Sequence, residues 1–206
     1  MTELEANRQK HQLSSYGGCL MRKPRKLKPG ASYHVFSKAN RGEMIFNYPA
    51  VKEMFMEVVR RAKTKYRFEI KNFCIMGNHY HFIMKPLGKE SLSRINQWIN
   101  SVFAMKFNTT FKLTGHVFSD RFKSVIIHTF LQYLITFIYV ATNPVKACIV
   151  KNAAEYEYNG ISFLRKGMLD ILERPPNWFL RIVWQWISGG EGQLYLTAGR
   201  LNNMLD

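Results

Sequence analysis

Three observations predict an α+β fold: an antiparallel sheet with helices packed on it, in the split β-α-β or ferredoxin-like order. Strand-like and helix-like hydrophobic periodicities follow one another as β-α-β-β-α-β-α, and the first six of these elements are the split β-α-β pattern. Two strand-like runs flank Gly77-Asn78, a hairpin signal. The 206 residues are 47% hydrophobic and 14% aromatic, enough to bury a core and to exclude wholesale disorder.

Each element has its own justification. After Pro29-Gly30, the run SYHVFSKA (Ser32 to Ala39) reads as the first strand. Between Pro49 and Lys65, residues Val51, Met54, Phe55, Val58, Val59 and Ala62 recur at helical spacing. FEIKNFCIM (Phe68 to Met76) and HYHFIMKP (His79 to Pro86) are the hairpin strands. Ser91 is the expected N-cap of a second helix reaching about Phe107 and burying Leu92, Ile95, Ile99, Val102 and Phe103. Gly115 breaks the chain before a fourth strand, RFKSVII (Arg121 to Ile127). A third helix covers about Thr129 to Thr142 and is expected to stop at Pro144. Residues 1–28 read as a flexible basic arm, 29–150 as the central domain, and 151–206 as a mainly helical C-terminal extension.

Charge narrows the function. Thirty Lys and Arg against fourteen Asp and Glu leave a net charge of +16 and a pI near 9.9. Six basic and six acidic residues cancel within residues 151–206, so the whole excess lies in residues 1–150. A field of that size favours a polyanion, most simply nucleic acid. No basic amphipathic helix stands out to serve an anionic membrane. The greasiest stretch, around Phe130 to Ala141, is too short to span a bilayer. The start MTELEANRQK is not a secretory signal, and Cys19, Cys74 and Cys148 form no CxxC pair. The expectation is a soluble, intracellular protein.

Two constellations carry chemistry. Strand alternation puts His79 and His81 on one face and Tyr80 on the other, and two such imidazoles can grip one divalent ion. Taken alone, an HxH is a weak signal, more often two surface histidines on a half-exposed strand than a metal pair. Tyr139 and Asn143, at i and i+4, share the more polar side of an otherwise apolar helix, whereas Tyr133 lies off that side and is expected to pack. A phenol acts as nucleophile where a nearby cation stabilises its anion. His34, on the first strand, is expected to pack. Lys38, Arg41, Lys85, Arg121 and Lys123 flank strand ends near these motifs and are candidate phosphate ligands.

CIMGNHYHFIMKP, with YVATNPVKACIV starting sixty residues after His79, resembles the HUH single-tyrosine transposases, especially the REP-associated tyrosine transposases. YHVFSKANRGEMIF, GHVFSDRFKS and YEYNGISF extend the likeness over about residues 29–165. The resemblance implies a catalytic domain over 29–150, with Mg²⁺ or Mn²⁺ held by His79, His81 and Asn143. It implies that Tyr139 attacks a phosphodiester in single-stranded DNA near a hairpin, leaving a 5′-phosphotyrosine link and a free 3′-OH. Its members include dimers and monomers, so a homodimer stays open, and a cytoplasmic, nucleoid-associated place is expected. Two positions depart from the family pattern: Tyr80 brings a hydroxyl that needs a polar partner, and Asp120 brings an acid beside the fourth strand. The alternative is a catalytically silent DNA-binding protein or regulator on the same fold. A two-histidine phosphoesterase would need a second HxT/S-type motif, and the sequence has none.

Overall fold

The computed structural model describes residues 27–188. Its elements are β1 (Ser32–Lys38), α1 (Pro49–Lys65), β2 (Phe68–Ile75), β3 (His79–Pro86), α2 (Leu92–Phe111), β4 (Lys123–Ile127), α3 (Phe130–Lys146), α4 (Gly160–Lys166) and α5 (Asn177–Ser188). The strands form one sheet in the order β2-β3-β1-β4, with every neighbouring pair antiparallel. This is the predicted split β-α-β arrangement, followed by the predicted helical extension as far as it is described. Most of the basic arm and residues 189–206 lie outside the described residues. No helix among the described residues is long and apolar enough to cross a membrane.

Two cores sandwich the sheet. Alternation sends Tyr33 and Val35 of β1 and Tyr80, Phe82 and Met84 of β3 to one face, where Val51, Phe55, Val58 and Val59 of α1 and Ile95, Ile99 and Phe103 of α2 cover them. The other face meets α3, whose Leu134, Phe137, Ile138 and Ala141 pack with Ile83, Ile161, Phe179 and Val183. The segment after α3 is therefore part of the packing: Phe179 of α5 meets the Phe137 ring edge-on at 5.0 Å.

A register shift in β2 decides how α3 is held. Opposite β3, Ile70 faces Met84 but Asn72 faces Ile83, so Lys71 is one residue extra. Phe68 and Ile70 point into the first core and, past the bulge, Phe73 and Ile75 do as well. The same shift turns Asn72 and Cys74 toward α3. Asn72, fully buried, donates from Nδ2 to the Phe137 carbonyl at 2.9 Å and accepts the Phe73 N–H at 2.9 Å. Asn159, also fully buried, donates to the Ala141 carbonyl at 2.6 Å while its Oδ1 caps α4 at Ile161 N. A helical carbonyl has a second lone pair to receive such bonds.

Some boundaries differ from expectation. Helix α2 runs one turn further, to Phe111, because Phe107 is itself buried and its ring packs on Phe111 at 4.8 Å. Val102, expected in the core, is half-buried. Pro144 does not stop α3, which continues to Lys146. Pro144 stands in the last turn, and beyond it the Ala147 and Ile149 N–H groups close onto the Asn143 and Pro144 carbonyls. Strand β4 starts at Lys123, since Phe122 turns into the first core before pairing begins.

Gly160 sits where a Cβ would lie 2.1 Å from Asn72 Oδ1 and 3.1 Å from Phe73 N. Gly160→Ala should therefore lower the unfolding free energy by about 2 kcal/mol. The loss should shrink in an Asn72→Ala background, where the nearest clashing atom is gone. Urea unfolding of the four proteins as a double-mutant cycle measures that coupling.

Candidate active site

The two-residue turn Gly77-Asn78 delivers His79 at the first position of β3, and pairing places Lys38 opposite His79 and Phe36 opposite His81. The imidazole pair thus lies on the α3 side of the two central strands, with ring centroids 5.0 Å apart. Asn78 Oδ1 accepts from His79 Nδ1 at 2.6 Å, which leaves His79 Nε2 with its lone pair. His81, only 6% exposed, shares a hydrogen bond of 2.9 Å between its Nδ1 and Nε2 of His34. His34 is thus more than a packing residue: its ring stacks on His81 with centroids 5.1 Å apart. Its own Nδ1 is buried without a hydrogen-bond partner among the described residues.

Burial governs the electrostatics of these rings. It pushes His34 down to about 4. It also lowers His81 well below the ordinary histidine range, with the neighbouring His34 and His79 adding to the effect. His79 is lowered by burial and then by the charge of Lys38. All three are neutral at pH 7, the form in which an imidazole nitrogen donates to a metal. With each Nδ1 already engaged, His79 and His81 present Nε2, the usual arrangement in which an outer partner orients a ligand. For His81 this requires the tautomer in which its Nδ1–H donates to His34. Among the described residues, no three His, Cys, Asp or Glu side chains cluster as a metal site.

Helix α3, capped by Thr129 Oγ1 on Gln132 N, brings Tyr139 over this pair. The half-buried Tyr139 ring stands edge-on at 5.6 Å from His81 and 5.7 Å from His34. Burial raises its phenol above the ordinary value, and a side-chain hydrogen bond with Asn143 acts in the opposite sense. Asn143, one turn on, also donates from Nδ2 to the Tyr139 carbonyl at 2.9 Å. Two turns on, Lys146 places Nζ 4.7 Å from the Tyr139 ring centroid. Tyr133 packs instead on Phe137 and Phe179. Tyr80 is fully buried on the opposite sheet face and finds its polar partner in Asn100 Oδ1, 2.7 Å away.

An open cleft of about 560 Å³ is lined by His79, His81 and Tyr139 together with Lys38, Arg121, Lys123 and Asp120. Arg41 lies just beyond β1 in a left-handed turn conformation (φ 52°), outside the cleft lining. Lys85 is near the far end of β3, opposite Glu69, also away from the cleft. Sequence reasoning undervalued His34 and did not single out Lys146. The seven-residue spacing from Tyr139 to Lys146, two helical turns, was the available signal for the second.

The sequence profile of the family described as transposase IS200-like matches residues 28–142, from before β1 through Tyr139. The chain belongs to that family. Its fold is similar to that of a solved REP-associated tyrosine transposase bound to a REP hairpin, at a TM-score of 0.60 and 20% identity, over 76% of this chain and 93% of the other. A structure assigned to a transposase of Deinococcus radiodurans R1 aligns less well, at a TM-score of 0.42 and 12% identity, over 56% and 93% of the two chains. No curated protein matches the chain in sequence. The profile match ends one residue before Asn143, so Asn143 and Lys146 lie beyond it.

The buried histidines make stability pH-dependent. His34 titrates near 4 when folded and near 6.5 when unfolded, so the unfolded chain binds a proton that the folded protein refuses. Its contribution is complete above pH 6.5 and lost as pH falls toward 4, by up to about 3 kcal/mol. His79 and His81, lowered in the same direction, steepen the fall. Urea unfolding of the metal-free protein between about pH 7 and pH 4 should show this loss, and His34→Leu should flatten it.

Proposed function

We propose that this member of the IS200-like transposase family cleaves and rejoins single-stranded DNA beside hairpins through a covalent bond to Tyr139. The observation that carries the reading is the convergence of Tyr139 and the His79/His81 pair on one basic cleft. His79 and His81 through Nε2 would hold a divalent ion, Mg²⁺ or Mn²⁺, and Asn143, which lies outside the cleft lining one turn beyond Tyr139, would be its further donor. When bound, that ion supplies positive charge to polarise the scissile phosphate. Lys38, Arg121 and Lys123 hold flanking phosphates in the cleft, and Arg41 and Lys85 serve phosphates further along the strand.

In the reaction, Tyr139 Oη attacks phosphorus as the bond from phosphorus to the 3′ oxygen breaks. The phenolic proton passes to water in the open cleft, and the departing 3′ oxygen takes one up. The products are a 5′-phosphotyrosine and a free 3′-OH, and attack by a 3′-OH on the phosphotyrosine rejoins a strand. Lys146, over the ring, stabilises the negative charge that spreads through it both when Tyr139 attacks and when it departs. A hairpin partner is supported by the fold shared with a transposase solved on one. The catalytic unit is residues 29–150, with residues 1–28 as a basic arm that adds phosphate contacts and 151–206 as a supporting extension. Its place of action is the nucleoid.

Tyr139→Phe removes one oxygen from a half-buried ring, so the protein should fold and bind hairpins as before but form no covalent adduct. A labelled single-stranded hairpin substrate with Mg²⁺ or Mn²⁺, run on a denaturing protein gel and followed by peptide mapping, decides this. An adduct in the variant, or on Tyr133, overturns the mechanism. Tight hairpin binding with no adduct in the wild type identifies a DNA-binding protein instead.

The metal assignment has a separate check. His79→Ala and His81→Ala should each weaken Mn²⁺ binding by roughly tenfold or more. Titration calorimetry of the purified variants reads this without DNA, and wild-type affinity in both would remove the ion from the scheme.

A further inference from the structure

Strand β3 leads away from the cleft, from His79 to Pro86, and reaches about 23 Å at its usual rise per residue. At that far end several chain segments meet. The Arg67 carbonyl, just before β2, accepts the Leu87 N–H at 2.9 Å, which joins the turn after α1 to the loop after β3. Lys28 and Lys89 line one depression there, of about 290 Å³. Where α1 meets α2, the Arg61 guanidinium carbon and Lys65 Nζ each lie 5.9 Å from the Trp98 ring centroid. Arg94 stands one helical turn before Trp98. Lys28, Arg61, Lys65, Arg67, Lys89 and Arg94, all exposed, thus gather at this end of the sheet.

The fold supplies counter-charges to other cations of α1 but not to these. Arg60 pairs with Glu53 and Asp170 at 2.5 Å each, and Lys63 with Glu173 at 2.9 Å. None of the six forms an ion pair among the described residues. Two acids stand close, and both are engaged: Glu69 pairs with Lys71 at 2.9 Å, and Glu90 accepts the Arg67 backbone N–H at 3.4 Å. The aromatic rings here are covered. Tyr66 and Trp98 are half-buried, meet edge-on at 6.1 Å and carry cations over their faces. A single strand is held best where open aromatic faces let its bases stack. A duplex keeps its bases stacked inside, and needs only cations for its rows of phosphate. Contact with Trp98 also keeps two long side chains ordered, which lowers the entropy cost of a phosphate contact. Along α2, which runs back to Asn100 beside Tyr80, the exposed Gln97 and Ser101 carry no charge, so this helix separates the two basic surfaces.

We infer that the far end of the sheet is a second DNA-binding surface, which holds the phosphate backbone of a separate duplex while the cleft engages a single strand. Its contacts are with phosphate, so binding is independent of base sequence and falls steeply with salt. This goes beyond the cleavage reading, since it needs neither Tyr139 nor an ion. A chain with two such surfaces holds two DNA segments at once, and keeps the strand in the cleft close to other duplex DNA.

The test uses the full chain and a labelled blunt-ended duplex with no hairpin and no unpaired bases, followed by fluorescence anisotropy across a salt series. Wild type should bind it. Arg67→Ala/Lys89→Ala/Arg94→Ala, checked for wild-type melting, should bind roughly tenfold or more weakly, with a log–log salt slope flatter by about 2.7, or about 0.9 for each of three phosphates. Lys38→Ala/Lys123→Ala, in the cleft, should bind the duplex as wild type does. Two-colour sedimentation should find a hairpin oligonucleotide and the duplex on one wild-type protein. An unchanged affinity and slope in the triple variant, no duplex binding by wild type, or an equal loss in the cleft variant overturns the inference. A hairpin that displaces the duplex also overturns it, because the surface then holds the hairpin's own stem. Duplex binding is read without cleavage, so a wild type that binds the duplex here but never forms the Tyr139 adduct upholds this surface and refutes only the cleavage reading.

Discussion

Tyr139 depends on a grip applied to the helix that carries it. Asn72 and Asn159 reach the carbonyls of Phe137 and Ala141, which bracket Tyr139 two residues to either side. Apolar packing alone is non-directional, and would let α3 slide or rotate on the sheet by fractions of a turn. Directional hydrogen bonds to buried groups do not permit this, because an unmade bond leaves a polar group dry at a cost of about 1–3 kcal/mol. The bulge at Lys71 makes the grip available, since without the extra residue Asn72 would point into the first core. Asn159 also caps α4, so one residue sets both α3 and the segment that follows it.

On the sheet, a different economy operates. Three imidazoles are gathered where burial keeps them neutral, and His34 supplies a partner for the inner nitrogen of His81. Their close approach is tolerable because none is charged at neutral pH. Positive charge is moved to the rim instead, on Lys38, Arg121 and Lys123, where solvent reduces mutual repulsion. The site therefore offers uncharged nitrogen donors inside and cations outside, which suits an ion and a polyanion arriving from the open side.

Much of this was legible in the sequence. Alternation in HYHFIMKP put His79 and His81 together and Tyr80 opposite, and the hydroxyl of Tyr80 required the polar partner it finds in Asn100. The i, i+4 spacing separated Tyr139 from Tyr133. His34 was harder to read, because a lone histidine on a strand carries no sign of its neighbour 47 residues away. Pro144 misled because its effect depends on how close it lies to the helix end, which periodicity resolves only to a few residues.

Local rules therefore determined the order of elements, the faces of the strands, the helical caps and the residue types able to hold an ion or attack a phosphate. Such properties rest on contacts within a few residues, where backbone geometry repeats at fixed periods. Only the tertiary structure decided that Asn72 turns toward α3 at the bulge and that His34 completes the imidazole chain. These depend on residues far apart in the chain meeting at angstrom precision. Such distances follow from how two cores pack against one sheet, and no periodicity in the sequence encodes them.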